Sequence, residues 1–398
     1  MVSPERTELM VRQRNGTASA IMRLIIRRGP AGRKELASAT GVSFTTITKT
    51  VAELIEFGAL TESAPTPQRA AGRPVVPLDV STRRLVVGAH LHPRSASCGA
   101  FTLRGEQVLW REAAAVGSTQ EDRIAEATAL VDAVVTEVGA AAVVGVGMTT
   151  PWAEVHHGHP PPLLADVDHD QLRASLRQRL PHPVRVEPNV RAQAVEYHWW
   201  GGGGDDVLTV LVGRAVGVAQ MRGDDLVWDG PGAGGLVSHI VVPGSTFPCA
   251  CGQVGCVKVT CTDDALLRRA VEAGLLPPGS SQHDLYPADD TPQLRRLRQA
   301  RAQELSRVIP LIMSMVDPGE TVICGRVGTS DEIAACVEMI RARYQHLVGR
   351  EAQVRYREES RPGYWARMSA ALALDGYLAS PLGHETERAT RGSSDTTT

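Results

Sequence analysis

Within eight residues the chain places three thiols, Cys249-Ala-Cys251-Gly-Gln-Val-Gly-Cys256, and ten residues earlier an imidazole, His239. Three thiolates and one imidazole make the Cys₃His set that a structural Zn²⁺ prefers. Four protein ligands complete a tetrahedral shell and leave no position for water, so such an ion shapes a loop and does not catalyse. Gly252 and Gly255 let the backbone turn tightly enough to bring Cys251 and Cys256 to one ion. The alternative is a redox-active thiol loop, with Cys261 as a spare thiol. Seven cysteines spread over 398 residues argue against a disulfide framework, and a clustered C-x-C with a histidine reads as a metal site first.

A second set of groups suits nucleic acid. Ser43, Thr45, Thr46, Thr48 and Lys49 combine small hydroxyls with a cation, the groups that reach base edges and phosphates in a major groove. They sit at the start of a helix that runs from Ser43 to about Phe57, with Ile47, Val51, Leu54 and Ile55 as its buried stripe. The Ser43 hydroxyl is its natural N-cap. Upstream, Ala18–Arg28 carries Ile21, Met22, Leu24 and Ile25 on one helical face and ends at Gly29-Pro30. A second helix, Arg33–Ala39, is separated from the third only by Thr40–Ser43, the short Gly-containing turn of a helix-turn-helix. Strand-like runs at Leu60–Glu62 and Val75–Leu78 flank a Pro/Arg/Gly loop, Ala64–Pro74. Together these predict a winged helix-turn-helix over residues 1–80, with Arg33 at its second helix and Arg69 and Arg73 in a wing that could enter a minor groove. The bland alternatives are a solvated helix face and a flexible linker.

Charge supports the first reading. The total of −2 hides nine Arg and two Lys against six Glu and one Asp in residues 1–80, a net +4 on a body that carries −6. A basic block on an acidic body suits a polyanion partner for the block alone. No apolar run approaches the ~20 residues of a membrane-spanning helix. The opening segment MVSPERTELMVRQRNG has no apolar signal core. A cytoplasmic protein with no membrane partner is the expectation.

From Arg84 onward strands and helices alternate. Strands are expected at 85–91, 98–103, 107–113, 143–148, 184–187, 207–212, 216–221, 321–324 and 353–356. Helices are expected at 119–138, 168–179, 264–273, 291–316, 332–347 and 363–379. This is an α/β body of two lobes, about 81–195 and 196–365, with the C-terminal helix returning to the first. The body spans 81–382, the winged helix is a detachable module, and residues 383–398 form a polar, disordered tail.

These features together resemble one family, the ROK proteins: repressors, open reading frames and sugar kinases. RKELASATGVSFTTITKTVAELIEFGALTE and AGRPVVPLDV resemble the winged helix of its transcription factors. HIVVPGSTFPCACGQVGC resembles its zinc motif, in which a histidine precedes CxCGxxGC, and DPGETVICG resembles its closing segment. The resemblance runs from about residue 17 to about residue 380. It implies an actin-like, ribonuclease H-like body behind a winged helix-turn-helix, double-stranded DNA as partner, structural zinc, a small-molecule effector, and assembly as a homodimer or homotetramer.

The departures from the pattern bear on activity. Kinases of the family open with a strand and an Asp-containing, Gly-rich phosphate loop; here His90 stands in the acid's place and Pro93 where glycine is expected. The second phosphate loop reads Gly213-Arg214-Ala215-Val216-Gly217, with most of its glycines gone. The catalytic aspartate is replaced by Asn189, and an amide cannot take a proton from a sugar hydroxyl. Without either phosphate grip or the base, phosphoryl transfer is not expected. Of the family's hexose-binding residues the matching positions are Pro188, Asn189, Leu236, His239 and Lys258. Leu and Lys in place of carboxylates disfavour a plain neutral hexose and suit a sugar acid, a phosphorylated sugar or a glycosylated natural product. The alternative is a pocket that binds nothing. The reading is a DNA-binding transcriptional regulator, a repressor, with a kinase-like body that does not catalyse. The rivals are a sugar kinase with an accessory DNA-binding arm and a zinc-dependent protein scaffold.

Overall fold

A computed structural model describes residues 4–63, 76–92, 95–114, 116–117, 119–150, 169–227, 237–287, 289–358 and 362–383. The chain divides into two compact units at Gly202–Gly203 and again at 361–362.

The first unit begins with α1 (Pro4–Arg28), α2 (Arg33–Thr40), α3 (Phe44–Glu56), β1 (Leu60–Glu62) and β2 (Leu78–Val80). Strand β1 pairs antiparallel with β2, and Ala31 bridges to Leu78. This is a winged helix-turn-helix. Its core is Ile21, Met22, Ile25, Leu36, Ile47, Val51, Leu54, Leu60 and Leu78, all buried. Each such aliphatic side chain contributes about 1.5–3 kcal/mol on leaving water, and that burial fixes which face of α3 stays outside. One boundary differs from the sequence reading. Helix α1 starts at Pro4, well ahead of the apolar stripe, because Glu, Leu, Met, Arg and Gln propagate a helix without needing a buried face. The returning strand is described from Leu78, and Val75 lies outside the described residues; Pro77, with no N–H of its own, joins the pairing through its carbonyl, which accepts from the Ser63 amide at 2.8 Å.

The body of this unit is a five-stranded sheet in the order β5-β4-β3-β6-β7, built from β3 (Leu85–His92), β4 (Ser95–Thr102), β5 (Gln107–Ala114), β6 (Val143–Thr150) and β7 (Val184–Pro188). Strands β3, β4 and β5 form an antiparallel meander, while β6 and β7 run parallel to β3. Helices α4 (Gln120–Val138) and α5 (His169–Arg179) supply the crossovers, and α6 (Asn189–Trp200) follows β7.

The second unit repeats that order. β10 (Asp225–Leu226), β9 (Val216–Arg222), β8 (Asp206–Val212), β11 (Glu320–Gly325) and β12 (Val354–Arg357) form a sheet in the order β10-β9-β8-β11-β12, with the same antiparallel half and parallel half. Between β10 and β11 lie α7 (Val257–Thr260), α8 (Asp263–Glu272) and α9 (Pro292–Val316), and α10 (Ser330–Val348) connects β11 to β12. One meander-plus-crossover pattern used twice is the architecture of the actin-like fold.

The last helix, α11 (Tyr364–Ala379), returns to the first unit and packs on β3, β6 and α6. Gly88 and Gly147 make that approach possible. A Cβ on Gly88 would stand 2.0 Å from the Ala366 carbonyl oxygen, and one on Gly147 would stand 1.8 Å from that of Ser369. A backbone obstacle of this kind cannot swing aside. Gly147→Ala is therefore expected to destabilise the first unit by about 3 kcal/mol or more, beyond ordinary overpacking. Gly376→Ala, on α11 with nothing near its Cβ, is expected to be neutral or stabilising by about 0.5–1 kcal/mol. Thermal midpoints of the two variants against the parent chain check both.

Candidate functional site

On the winged helix the N-terminal end of α3 is the exposed one. Ser43 caps it, its Oγ accepting from the Thr46 amide at 3.2 Å and lying 2.8 Å from Thr46 Oγ1. Thr48 Oγ1 donates to the Phe44 carbonyl at 2.8 Å. Thr45, Thr46, Thr48 and Lys49 are all exposed, while Ile47, Thr50, Val51 and Leu54 are buried on the opposite side. The hydroxyls of Ser43 and Thr48 are thus partly committed to the helix itself, leaving Thr45 and Lys49 as the groups with most reach. Arg33 is tied to Glu62 by an ion pair of 2.7 Å, so its charge is shared with the module. Arg69 and Arg73 lie outside the described residues.

Residues 237–261 bring together the candidate metal ligands. His239, Cys249, Cys251 and Cys256 bring their ligand atoms within 4.8 Å of one another. Cys249 Sγ is 3.7 Å from His239 Nδ1, and Cys251 Sγ is 3.6 Å from Cys256 Sγ. A tetrahedral ion with Zn–S and Zn–N bonds of ordinary length needs edges of about 3.8 Å between sulfurs and about 3.6 Å between sulfur and nitrogen. The donor set and its spacing therefore fit a tetrahedral dication. Gly252 and Gly255 both sit at positive φ, 90° and 80°, a conformation that L side chains rarely adopt. Short bridges, Val241 with Cys256 and Pro248 with Val254, hold the loop shut. Burial pushes the Cys256 thiol up to about 12, whereas the Gln253 backbone amide holds Cys251 down at about 7. A central dication would take the proton from both. Cys261 is buried and its thiol is raised by that burial.

The segment expected to resemble a phosphate loop is closed by its own side chains. His90 is buried in β3; its Nδ1 lies 2.9 Å from Thr149 Oγ1, and that hydroxyl lies 2.7 Å from Ser369 Oγ on α11. The Trp365 ring stacks on it at 4.8 Å. Burial, with the charge of His92 beside it and against the bond to Thr149, pulls the imidazole down to about 3. A neutral ring packed under an indole offers an anion no positive charge. Pro93 lies outside the described residues.

The second loop is closed differently. The α8 N-terminus begins with Asp263 and Asp264; Asp263 pairs with the buried Arg301, and Arg214 reaches Asp264 at 3.6 Å. The Asp263 amide donates to the Gly213 carbonyl at 2.8 Å. The positive end of this helix dipole already faces carboxylates of its own first turn.

Of the expected effector residues, Asn189 opens α6 in the first unit. It is 9 % exposed, and its Oδ1 has no hydrogen-bond partner among the described residues. Lys258, on α7 in the second unit, donates its amide to the Ser238 carbonyl at 2.9 Å, which sets it beside His239. Leu236 lies outside the described residues, as does the histidine-rich stretch 154–159.

A sequence model of the ROK family matches residues 95–362. The chain belongs to the ROK family. Among curated relatives, the DNA-binding transcriptional dual regulator NagC of Escherichia coli K12 is 23 % identical over 349 residues, covering 81 % of this chain and 83 % of its own. Among solved structures, a ROK family transcriptional regulator homologous to the E. coli MLC protein superposes with a TM-score of 0.73 at 18 % identity, covering 92 % and 97 % of the two chains. The ROK hexokinase of Thermus thermophilus superposes with a TM-score of 0.59 at 23 % identity, covering 74 % of this chain and 98 % of that one. Both superpositions speak to the fold, which ROK regulators and ROK kinases share.

Two features of this ROK chain were not picked out from sequence. Phe44, the first residue of α3, is 50 % exposed among the hydroxyls; a phenylalanine beside an apolar stripe gives no sign that it points away from it. The acid-filled start of α8 was legible as Asp263-Asp264, but only the Arg301 and Arg214 partners give it meaning.

Two outcomes are expected here. The purified chain should carry about one zinc by elemental analysis, and Cys256→Ser should lose it and lower the thermal midpoint; a metal-free chain of unchanged midpoint would contradict this. For His90, the unfolded chain takes a proton near pH 6.5 that the folded chain refuses until about 3. Stability should accordingly fall as pH drops through that window, by up to one proton's linkage. His90→Asn should flatten the profile, read from denaturant midpoints at stepped pH.

Proposed function

We propose that this ROK chain is a DNA-binding transcriptional regulator, a repressor, whose kinase-like body carries no phosphoryl-transfer activity. The observation that carries the reading is the outward N-terminal end of α3. Phe44, Thr45, Thr46, Thr48 and Lys49 are exposed there on a helix whose other face is locked into the winged-helix core. Hydroxyls and a lysine suit base edges and phosphates, and an exposed phenyl ring suits the thymine methyl group. Relatives such as NagC, named as DNA-binding transcriptional regulators, support the same reading.

Several features support an inactive body. A buried neutral His90 lies where an acid and a phosphate are expected, the α8 N-terminus is filled by its own carboxylates, and Asn189 stands where a base is needed. His239, Cys249, Cys251 and Cys256 would hold a structural Zn²⁺. That ion would cross-link residues 239–256 and, with four protein ligands, leave no site for a reacting water. The chain would bind an effector other than a plain hexose and would act as a homodimer or homotetramer in the cytoplasm.

Selection of genomic fragments by the full chain, followed by titration at several salt concentrations, tests this. The chain should enrich a defined operator. Lys49→Ala should weaken binding about three- to tenfold on all sequences and lower the salt slope by about one. Phe44→Ala should relax preference at one base step. Failure to enrich any sequence would contradict the reading, as would ATP consumption with a sugar that is abolished by changing Asn189.

A further inference from the structure

The winged helix is held to the rest of the first unit by three arginines. Arg84, just ahead of β3, donates from Nε to the Phe57 carbonyl at the C-cap of α3 at 3.0 Å. From Nη1 the same guanidinium donates to the Ala141 carbonyl in the body at 3.0 Å. Arg104, in the turn between β4 and β5, donates to the Ile26 carbonyl near the end of α1 at 3.1 Å and pairs with Asp79 on β2. Arg23 on α1 lies with its guanidinium 5.6 Å from the Trp199 ring centroid at the end of α6. Helix α1 also packs on α6 and α11.

Each clamp joins a different part of the module: the recognition helix, the wing strand with the first helix, and the middle of α1. Contacts on α1, α3 and β2 restrain the module more than a single tether at Ser81 would. A guanidinium is suited to this task because its donors form a rigid planar fork. The Trp199 clamp continues inward. Its indole Nε1 donates to Asp375 Oδ1 at 3.0 Å, Asp375 Oδ2 pairs with Arg185 at 2.5 Å, and Arg185 pairs with Glu187 at 3.3 Å. Glu187 stands two residues before Asn189, and α6 connects Asn189 to Trp199 directly.

We propose that Arg23, Arg84 and Arg104 are positioning residues for DNA reading: they hold the winged helix on the body at one angle, so that the body sets how far apart two recognition helices stand. The proposal rests on the DNA-binding reading above. It assigns the spacing of the operator's half-sites to these clamps and the sequence of each half-site to α3. Clamped in this way, the module would move with β3–β7 and α11.

The test is selection by the full chain from a pool of duplexes carrying two copies of its enriched half-site at varied separation. The parent chain should prefer one separation. Arg84→Ala and Arg104→Ala should keep the half-site sequence and lose roughly tenfold of the preference for that separation, since each removes charge-assisted bonds worth about a factor of ten or more. A general loss of stability would lower all binding together and leave the distribution over separations unchanged. Should an alanine variant fail to fold, Arg84→Lys serves, because a single ammonium cannot hold both carbonyls in a fixed fork. Variants that keep the parental separation overturn the proposal, as does a parent chain that binds half-sites with no preferred separation. A parent chain that enriches no half-site at all overturns the DNA-binding reading itself, which separates the two failures.

Discussion

The direct contact of α11 with the backbone of β3 and β6 is the constraint on which the first unit depends. Gly88 and Gly147 bring the helix down until Ala366 and Ser369 touch the strands. From that depth Ser369 reaches Thr149, and Thr149 reaches His90, so a buried polar chain is completed across the sheet. Two turns further along, Asp375 takes the indole N–H of Trp199 and the guanidinium of Arg185. The same helix packs against α1 of the winged helix. A segment more than 200 residues beyond β6 in sequence thus covers His90 and packs against the winged helix.

The body and the winged helix use charge in opposite ways. In the second unit Arg301 is spent on Asp263 and the Arg326 and Val327 carbonyls, and Arg298 on Asp290 and Glu332. Arg298 and Arg301 are fully buried, so removing a partner would strand a charge, a loss far larger than the pair's net worth. Such internally satisfied arginines hold a shape and have little left for a nucleotide. On the winged helix, Lys34 and Lys49 are exposed on the module whose sequence carries a net positive charge.

Local patterns were legible in the sequence and long-range partnerships were not. The four candidate ligands fall within residues 239–256, so spacing and donor type sufficed to single the group out, and the turn glycines took the positive φ their positions require. The stripe on α3 and the strand–helix alternation were legible because burial imposes a period on the residues themselves. The departures at His90 and Arg214 could be read from sequence, but not their surroundings, since Ser369, Trp365 and Arg301 lie far off in the chain. The arginine clamps were invisible for a further reason. This chain uses arginine for nearly all its cations, so no single one stands out, and a carbonyl acceptor leaves no mark in the sequence at all. The outward position of Phe44 was not legible, since nothing in its own residue type sets it apart from the apolar stripe beside it.

Hydrogen–deuterium exchange of the full chain, with and without its selected duplex and with and without ATP and magnesium, tests the central claim most directly. The account predicts that the duplex slows exchange around residues 43–49 at the start of α3 and that ATP with magnesium slows it nowhere. Slowed exchange at residues 206–217 and 262–265 on adding ATP, with no change at α3 on adding DNA, would contradict it.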